Sequence, residues 1–136
     1  MNALSRFAPH IYCLMRLIVG LLIACHGGQK LLGFPPPPKP MQLDTLTTIG
    51  GCIELIGGFL IAAGLFTRLA AFVASGMMAV AYFMVHAKGG FFPILNRGEL
   101  AVAYCFVFFY IFFRGSGPIG LDALIFRRRT ASGLDT

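Results

Sequence analysis

The sequence predicts an all-α integral membrane protein, a four-helix bundle followed by a short interfacial helix at the C-terminal end. Three observations point there. The chain has 136 residues, of which 57% are hydrophobic and 12% charged, and its mean hydropathy is +0.81; a soluble domain carries about 25% charged residues. Four long apolar stretches recur, at 9–32, 45–66, 69–88 and 97–113, and a helix of about 20 such residues crosses a bilayer. Pro- and Gly-rich breaks separate them. Residues 1–126 therefore read as one membrane domain and 127–136 as a basic, mobile cytoplasmic tail.

The first segment is interrupted by Arg16 and lacks a small-residue cleavage site, so it reads as a span rather than a removable leader. It ends at Gly33, before Pro35, Pro36, Pro37 and Pro38, which cannot continue a helix and favour an extended strap. Asp44 or Thr45 can cap the second segment. Its face carries Gly50, Glu54, Gly57 and Gly58, with Gly51 and Gly64 nearby; in lipid, small residues let helix backbones approach closely. Gly50, Gly57 and Gly58 are thus expected to pack this helix into the centre of the bundle. Thr67 and Arg68 mark a tight connection, and Arg68 is read as a boundary residue. In the third segment Ala71, Ser75, Ala79, Tyr82 and His86 follow helical spacing. Gly89, Gly90 and Pro93 end it. The fourth segment packs six aromatics into positions 106–113, more than a core needs, and these are expected to face lipid or a partner. Gly115 to Pro118 is a turn, and 121–126 a short interfacial helix leading to Arg127, Arg128 and Arg129.

The net charge of +6 does not indicate nucleic acid binding. The basic residues lie at segment ends, where anionic lipid attracts them. Arg6, Arg68, Arg114 and Arg127 to Arg129 share one side, against Lys30, Lys39, Lys88 and Arg97 on the other, which biases both termini toward the cytoplasm. Cys13, Cys25, Cys52 and Cys105 lie in apolar segments without a metal or disulfide spacing. They read as small buried residues, with a redox pair of Cys25 and Cys52 left open. No metal site is expected.

Polar residues of different segments fall at similar depth. At about 1.5 Å per residue, His26 lies about 9 Å and Lys30 about 15 Å beyond the middle of the first segment. Gln29 joins them. Glu54, His86, Arg97 and Glu99 reach the same half of the membrane from the other segments. An ionisable group at that depth normally faces a bundle interior or a wet cavity, so these residues form a candidate site. His26, Glu54 and His86 are the candidates for proton exchange, and Lys30, Gln29, Arg97 and Glu99 for ligand contact. Lys30, His26 or Arg16 could hold Glu54 charged, and Glu99 could pair with Lys30, His86 or Arg97. The competing structural reading is that such pairs only fix helix geometry; Arg16 would then snorkel to the nearer headgroups or serve packing.

The stretches Arg16 to Gly20 and His26 to Gly33, Gly50 to Gly58, Gly64 to Arg68, Ala81 to His86, Gly98 to Ala101 and Gly117 to Asp122 together resemble the DoxX family over roughly residues 10–125. Gly120 stands where relatives often carry serine, and the proline-rich loop is unusual. The resemblance implies a bacterial inner-membrane protein with a four-helix bundle. The family takes its name from a subunit of a thiosulfate:quinone oxidoreductase, and other members are linked to membrane redox complexes and thiol stress. The expectation is therefore a membrane component of a redox system. It would handle a quinone or a sulfur compound and have no intrinsic cofactor, and its electron donor would lie in a partner protein. A non-enzymatic scaffold or anchoring subunit of a larger membrane complex is the second expectation and a small transporter the third; association into a homo-oligomer is left open.

Overall fold

The computed structural model describes residues 3–132, with side chains described through position 126. Among these residues the chain is helical, with no strand. Helix α1 spans Ala8–Leu32, α2 Thr45–Ala63 and α3 Thr67–Ala81. Helix α3 continues without a break through a π turn, Tyr82–His86, and a 3-10 turn, Ala87–Gly89. A single turn, α4 (Pro93–Asn96), precedes α5 (Glu99–Arg114) and α6 (Leu121–Ser132). The expected tail thus begins inside α6, and its last positions, 133–136, lie outside the described residues.

Three of these helices, Ser5–Leu32, Thr45–Ala63 and Thr67–Gly89, are long and apolar enough to cross a membrane. The fourth expected crossing begins two residues later than the sequence suggests. The 16 residues of α5 give about 24 Å of helix, against about 30 Å of hydrocarbon. The connection between α2 and α3 is also displaced. Thr67 opens α3, and the turn is Gly64, Leu65 and Phe66, with Gly64 at φ 70° and Phe66 at φ 47°. A left-handed glycine after the last helical residue is the commonest way to end a helix. The N-terminus of α2 is capped by Asp44, whose carboxylate accepts from the Thr47 N–H at 2.7 Å.

The helices pack as two pairs, α1 along α2 and α3 along α5, with α2 meeting α3 less extensively. In the first pair the backbones nearly touch. A methyl group added at Gly20 would lie 2.5 Å from the Ala62 nitrogen, and one at Gly58 would lie 2.6 Å from the Ala24 nitrogen and the Gly20 oxygen. Gly27 meets the backbone of Gly51 and Leu55 in the same way. The expected glycine face is corrected accordingly. Gly58 makes the close approach; Gly57 is buried as expected but has nothing within 4 Å of an added methyl, and Gly50 lies toward Met77. Ile23, Ile61, Ala71, Phe108 and Ile111 fill the core. Phe108 is thus an exception to the expected outward aromatic face, whereas Phe106, Phe109, Tyr110 and Phe113 are exposed.

Polar groups fasten the pairs together at the end near the termini. Arg16, only 3% exposed, donates to the carbonyls of Ala62 (2.7 Å), Ser116 (3.0 Å), Ile119 (2.6 Å) and Ile61. It does not snorkel; its donors are consumed by the C-terminal carbonyls of α2 and by the turn after α5, groups that a helix end leaves unsatisfied. Tyr12 donates to the Gly115 carbonyl at 2.6 Å. Asp122 accepts from the Phe66 and Thr67 amides at 2.8 and 2.9 Å, capping α3 from a distant part of the chain. Arg68 donates to the carbonyls of Phe112 and Phe113 at the end of α5.

Two outcomes are expected. Gly58→Ala should lower the melting temperature in detergent by a cost of about 1–3 kcal/mol, the range for overpacking, while Gly57→Ala should leave it unchanged or raise it. The backbone and side-chain hydrogen bonds from Thr47 hold Asp44 below its usual 3.8. A depressed carboxylate contributes stability above its unfolded value and loses it as pH falls through the folded one. Hydrogen exchange at the Thr47 amide should therefore accelerate, relative to the middle of α2, only below about pH 3.8, and Asp44→Asn, which also caps, should remove that pH dependence.

Candidate functional site

The two helix pairs border an open cavity of about 690 Å³ at the end away from the termini. His26 and Lys30 enter it from α1, and Glu54 from the α2 face opposite. His86 enters from the π turn, Arg97 from the loop before α5, and Tyr104 from α5 itself. The close α1–α2 contact sets the central pair. Lys30 Nζ lies 2.6 Å from Glu54 Oε1, with Glu54 buried at 4% exposure and Lys30 half-buried. Glu54 Oε2 is buried with no hydrogen-bond partner, which is costly for a carboxylate oxygen.

The imidazoles are held by aromatic neighbours. His26 meets the ring of Tyr104 edge-on, at 6.4 Å between centroids, and Tyr104 stacks on Phe108. His86 stacks on Tyr82 at 6.4 Å, and its Nδ1 lies 3.2 Å from the Asn96 carbonyl oxygen. Asn96 organises the loop beneath. Its side-chain amide donates to the Gly90 carbonyl at 2.7 Å and to the Tyr82 hydroxyl at 3.2 Å, while its side-chain oxygen accepts from the Gly98 amide at 2.8 Å. Tyr82 in turn donates to the Phe91 carbonyl. π turns concentrate at functional sites, and this one aims His86 inward.

Of the seven residues expected at the site, five line the cavity: His26, Lys30, Glu54, His86 and Arg97. Arg97 stands exposed at its mouth in a left-handed conformation, φ 60°. Gln29 and Glu99 do not line it. Glu99 is exposed in the first turn of α5, and the expected pairing with Lys30, His86 or Arg97 does not form. Gly50, expected in the packing face, lines the cavity instead. Tyr104 was not singled out from the sequence; its only signal was a hydroxyl in a run of phenylalanines. Met41, Met77, Met78 and Met84 also line the walls, and isolated methionines in apolar segments carry no pattern. The four cysteines are free; Cys13 is buried, but Cys25 is exposed rather than buried as expected.

This arrangement can hold a ligand against two imidazoles, a phenol and an ion pair, and can exchange protons with it. Lys30→Ala should strip Glu54 of its partner and destabilise the protein by about 3 kcal/mol, as loss of one member of a buried pair does. Adding Glu54→Gln to that variant should restore most of the loss, read as the denaturation midpoint of single and double variants in the same detergent.

The DoxX family model matches residues 11–87, which hold α2, α3, the π turn and all but the first three residues of α1. One protein of Haemophilus influenzae, described as uncharacterized, is 39% identical over 134 residues, covering 94% of this chain and the whole of that protein. Another uncharacterized protein of the same organism is 29% identical over 97 residues, covering 71% of this chain and 63% of its own length. No solved structure matches the chain. The matched segment carries His26, Lys30, Glu54 and His86 together with the glycines that bring α1 onto α2, and the chain belongs to the DoxX family.

Proposed function

We propose that the protein is a membrane component of a redox system in the bacterial inner membrane, binding a quinone or a sulfur compound in the cavity. The observation that carries the proposal is the convergence of His26, Lys30, Glu54 and His86, from three helices, on one chamber with a buried carboxylate. Reduction of a quinone to a quinol takes up two electrons and two protons. The electrons would come from a thiol or an inorganic sulfur anion oxidised on a partner protein, since this family's namesake acts as one subunit of a larger enzyme. His86 and His26 would pass the protons, Glu54 with Lys30 would balance charge, and Arg97 at the mouth would attract an anion. In this proposal α5 crosses the membrane as a fourth helix of the bundle, and both termini face the cytoplasm, where the arginines of the terminal end meet anionic lipid.

A second reading, a scaffold that docks a partner enzyme, is favoured by one feature: Phe106, Phe109, Tyr110 and Phe113 form an exposed aromatic face on α5. The two differ in outcome. Membranes carrying the protein and its natural partners should show thiosulfate- or thiol-dependent quinone reduction. Glu54→Gln should slow it by about 100-fold, the scale of a lost acid–base group, with the protein still in its complex. Full activity in Glu54→Gln, together with loss of the complex on Phe109→Ala and Phe113→Ala, would establish the scaffold instead.

A further inference from the structure

Besides the mouth at Arg97, the chamber has an apolar edge between two helices. Its rim between α2 and α3 is Leu46 and Ile49 on one helix and Val73, Val80 and Met84 on the other, all exposed. Its floor, Ile23, Glu54 and Met78, is at most 5% exposed. Both rim helices are long and apolar enough to cross a membrane, so an apolar rim on them is suited to hydrocarbon. The two helices are joined by three residues at the terminal end and hold the cavity between them toward the other. Across the gap, Gly50 leaves a notch opposite Met77, whose sulfur would lie 3.6 Å from an added methyl. Methionine is unbranched and adapts its shape to what it packs against, so the gap is pliable where Met77 faces Gly50.

Polarity runs along the chamber. At about 1.5 Å per residue, Lys30 lies about 3 Å and His26 about 9 Å below the end of α1, and Glu54 about 13 Å below the start of α2. Val73 and Ile23 line its deeper part. Lys30 is paired with Glu54, which leaves the Arg97 guanidinium, two imidazoles and the Tyr104 hydroxyl among the donors not spent on a carboxylate. Glu99, the acid in α5, stays outside.

We infer that the chamber takes its ligand sideways from the bilayer, through the gap between α2 and α3, and that this ligand is an amphiphile with a long apolar chain and an anionic or acceptor-rich head. The inference rests on the cavity being the ligand site, as proposed above, and decides between its two ligand classes in favour of the lipid-soluble one. The chain lies along Val73, Met77 and Val80, and the head lies between Arg97, His86 and His26.

The chain contains no tryptophan, so a single introduced indole reports one place. Met77→Trp places it on the cavity wall; Gly76→Trp, on the exposed face of α3 with nothing within 4 Å, is the lipid-facing control. In phosphatidylcholine vesicles, a fatty acid brominated in mid-chain should quench Met77→Trp at a lower membrane fraction than Gly76→Trp. A brominated alkylamine should show no such preference, aqueous acrylamide should spare Met77→Trp, and Arg97→Gln should abolish the preference for the acid. Quenching by acrylamide as strong as by the brominated chain would overturn the lateral route. Equal quenching of the two indoles by the acid, or a preference for the amine, would overturn the ligand class. Val80→Trp at the rim gives the same readout should Met77→Trp not fold. No electron transfer is measured, so failure of the redox role leaves this result standing, and failure here leaves a redox role with a water-soluble substrate.

Discussion

The near contact of the α1 and α2 backbones is the constraint on which the rest depends. Gly20, Gly27 and Gly58 remove the side chains that would hold the helices apart. In lipid there is no hydrophobic drive between helices, so close van der Waals packing has to supply the association. That closeness brings Lys30 within ion-pair reach of Glu54. A carboxylate at this depth is tolerable because the cation arrives with the packing, and the chamber exists because the same two helices leave their other faces to α3 and α5. Packing and electrostatics are here one arrangement.

The two ends of the molecule solve opposite problems. At the terminal end, side chains take many of the backbone groups freed by helix ends: Arg16 takes carbonyls from α2 and from the turn after α5, Asp122 takes the first amides of α3, and Arg68 takes the last carbonyls of α5. Satisfied networks of this kind fix geometry. At the other end, Glu54 Oε2 is buried and not consumed by the fold. A rigid closed end and an underused open end are what a binding chamber between helix pairs requires.

Much of this was legible in the sequence because the cost of burying charge in lipid restricts where charge can go. His26, Lys30, Glu54, His86 and Arg97 stood out for that reason, and they meet. Glycine spacing was a weaker guide. Gly57 and Gly58 are neighbours in sequence, but a helix turns by about 100° per residue, so only one of them can face α1 squarely; Gly27, lying in a different helix from the expected glycine face, does more. Arg16 was ambiguous because its partners are backbone carbonyls, which every residue possesses and no pattern marks. Gln29 and Glu99 share the depth of the site but not its direction, and depth is all that hydropathy reports. The shortness of α5 followed from the loop, where Arg97 turns left-handed and delays the helix start.

The π turn at Tyr82–His86 carries one residue more than an α turn, so whatever follows it is rotated by about 100° relative to an uninterrupted helix. A homologous chain lacking one residue in this stretch would keep the same length of span, the same apolar profile and nearly every recognisable motif, yet its histidine would point into the lipid. Gaps of a single position in the third span are therefore where relatives that look alike would diverge in chemistry.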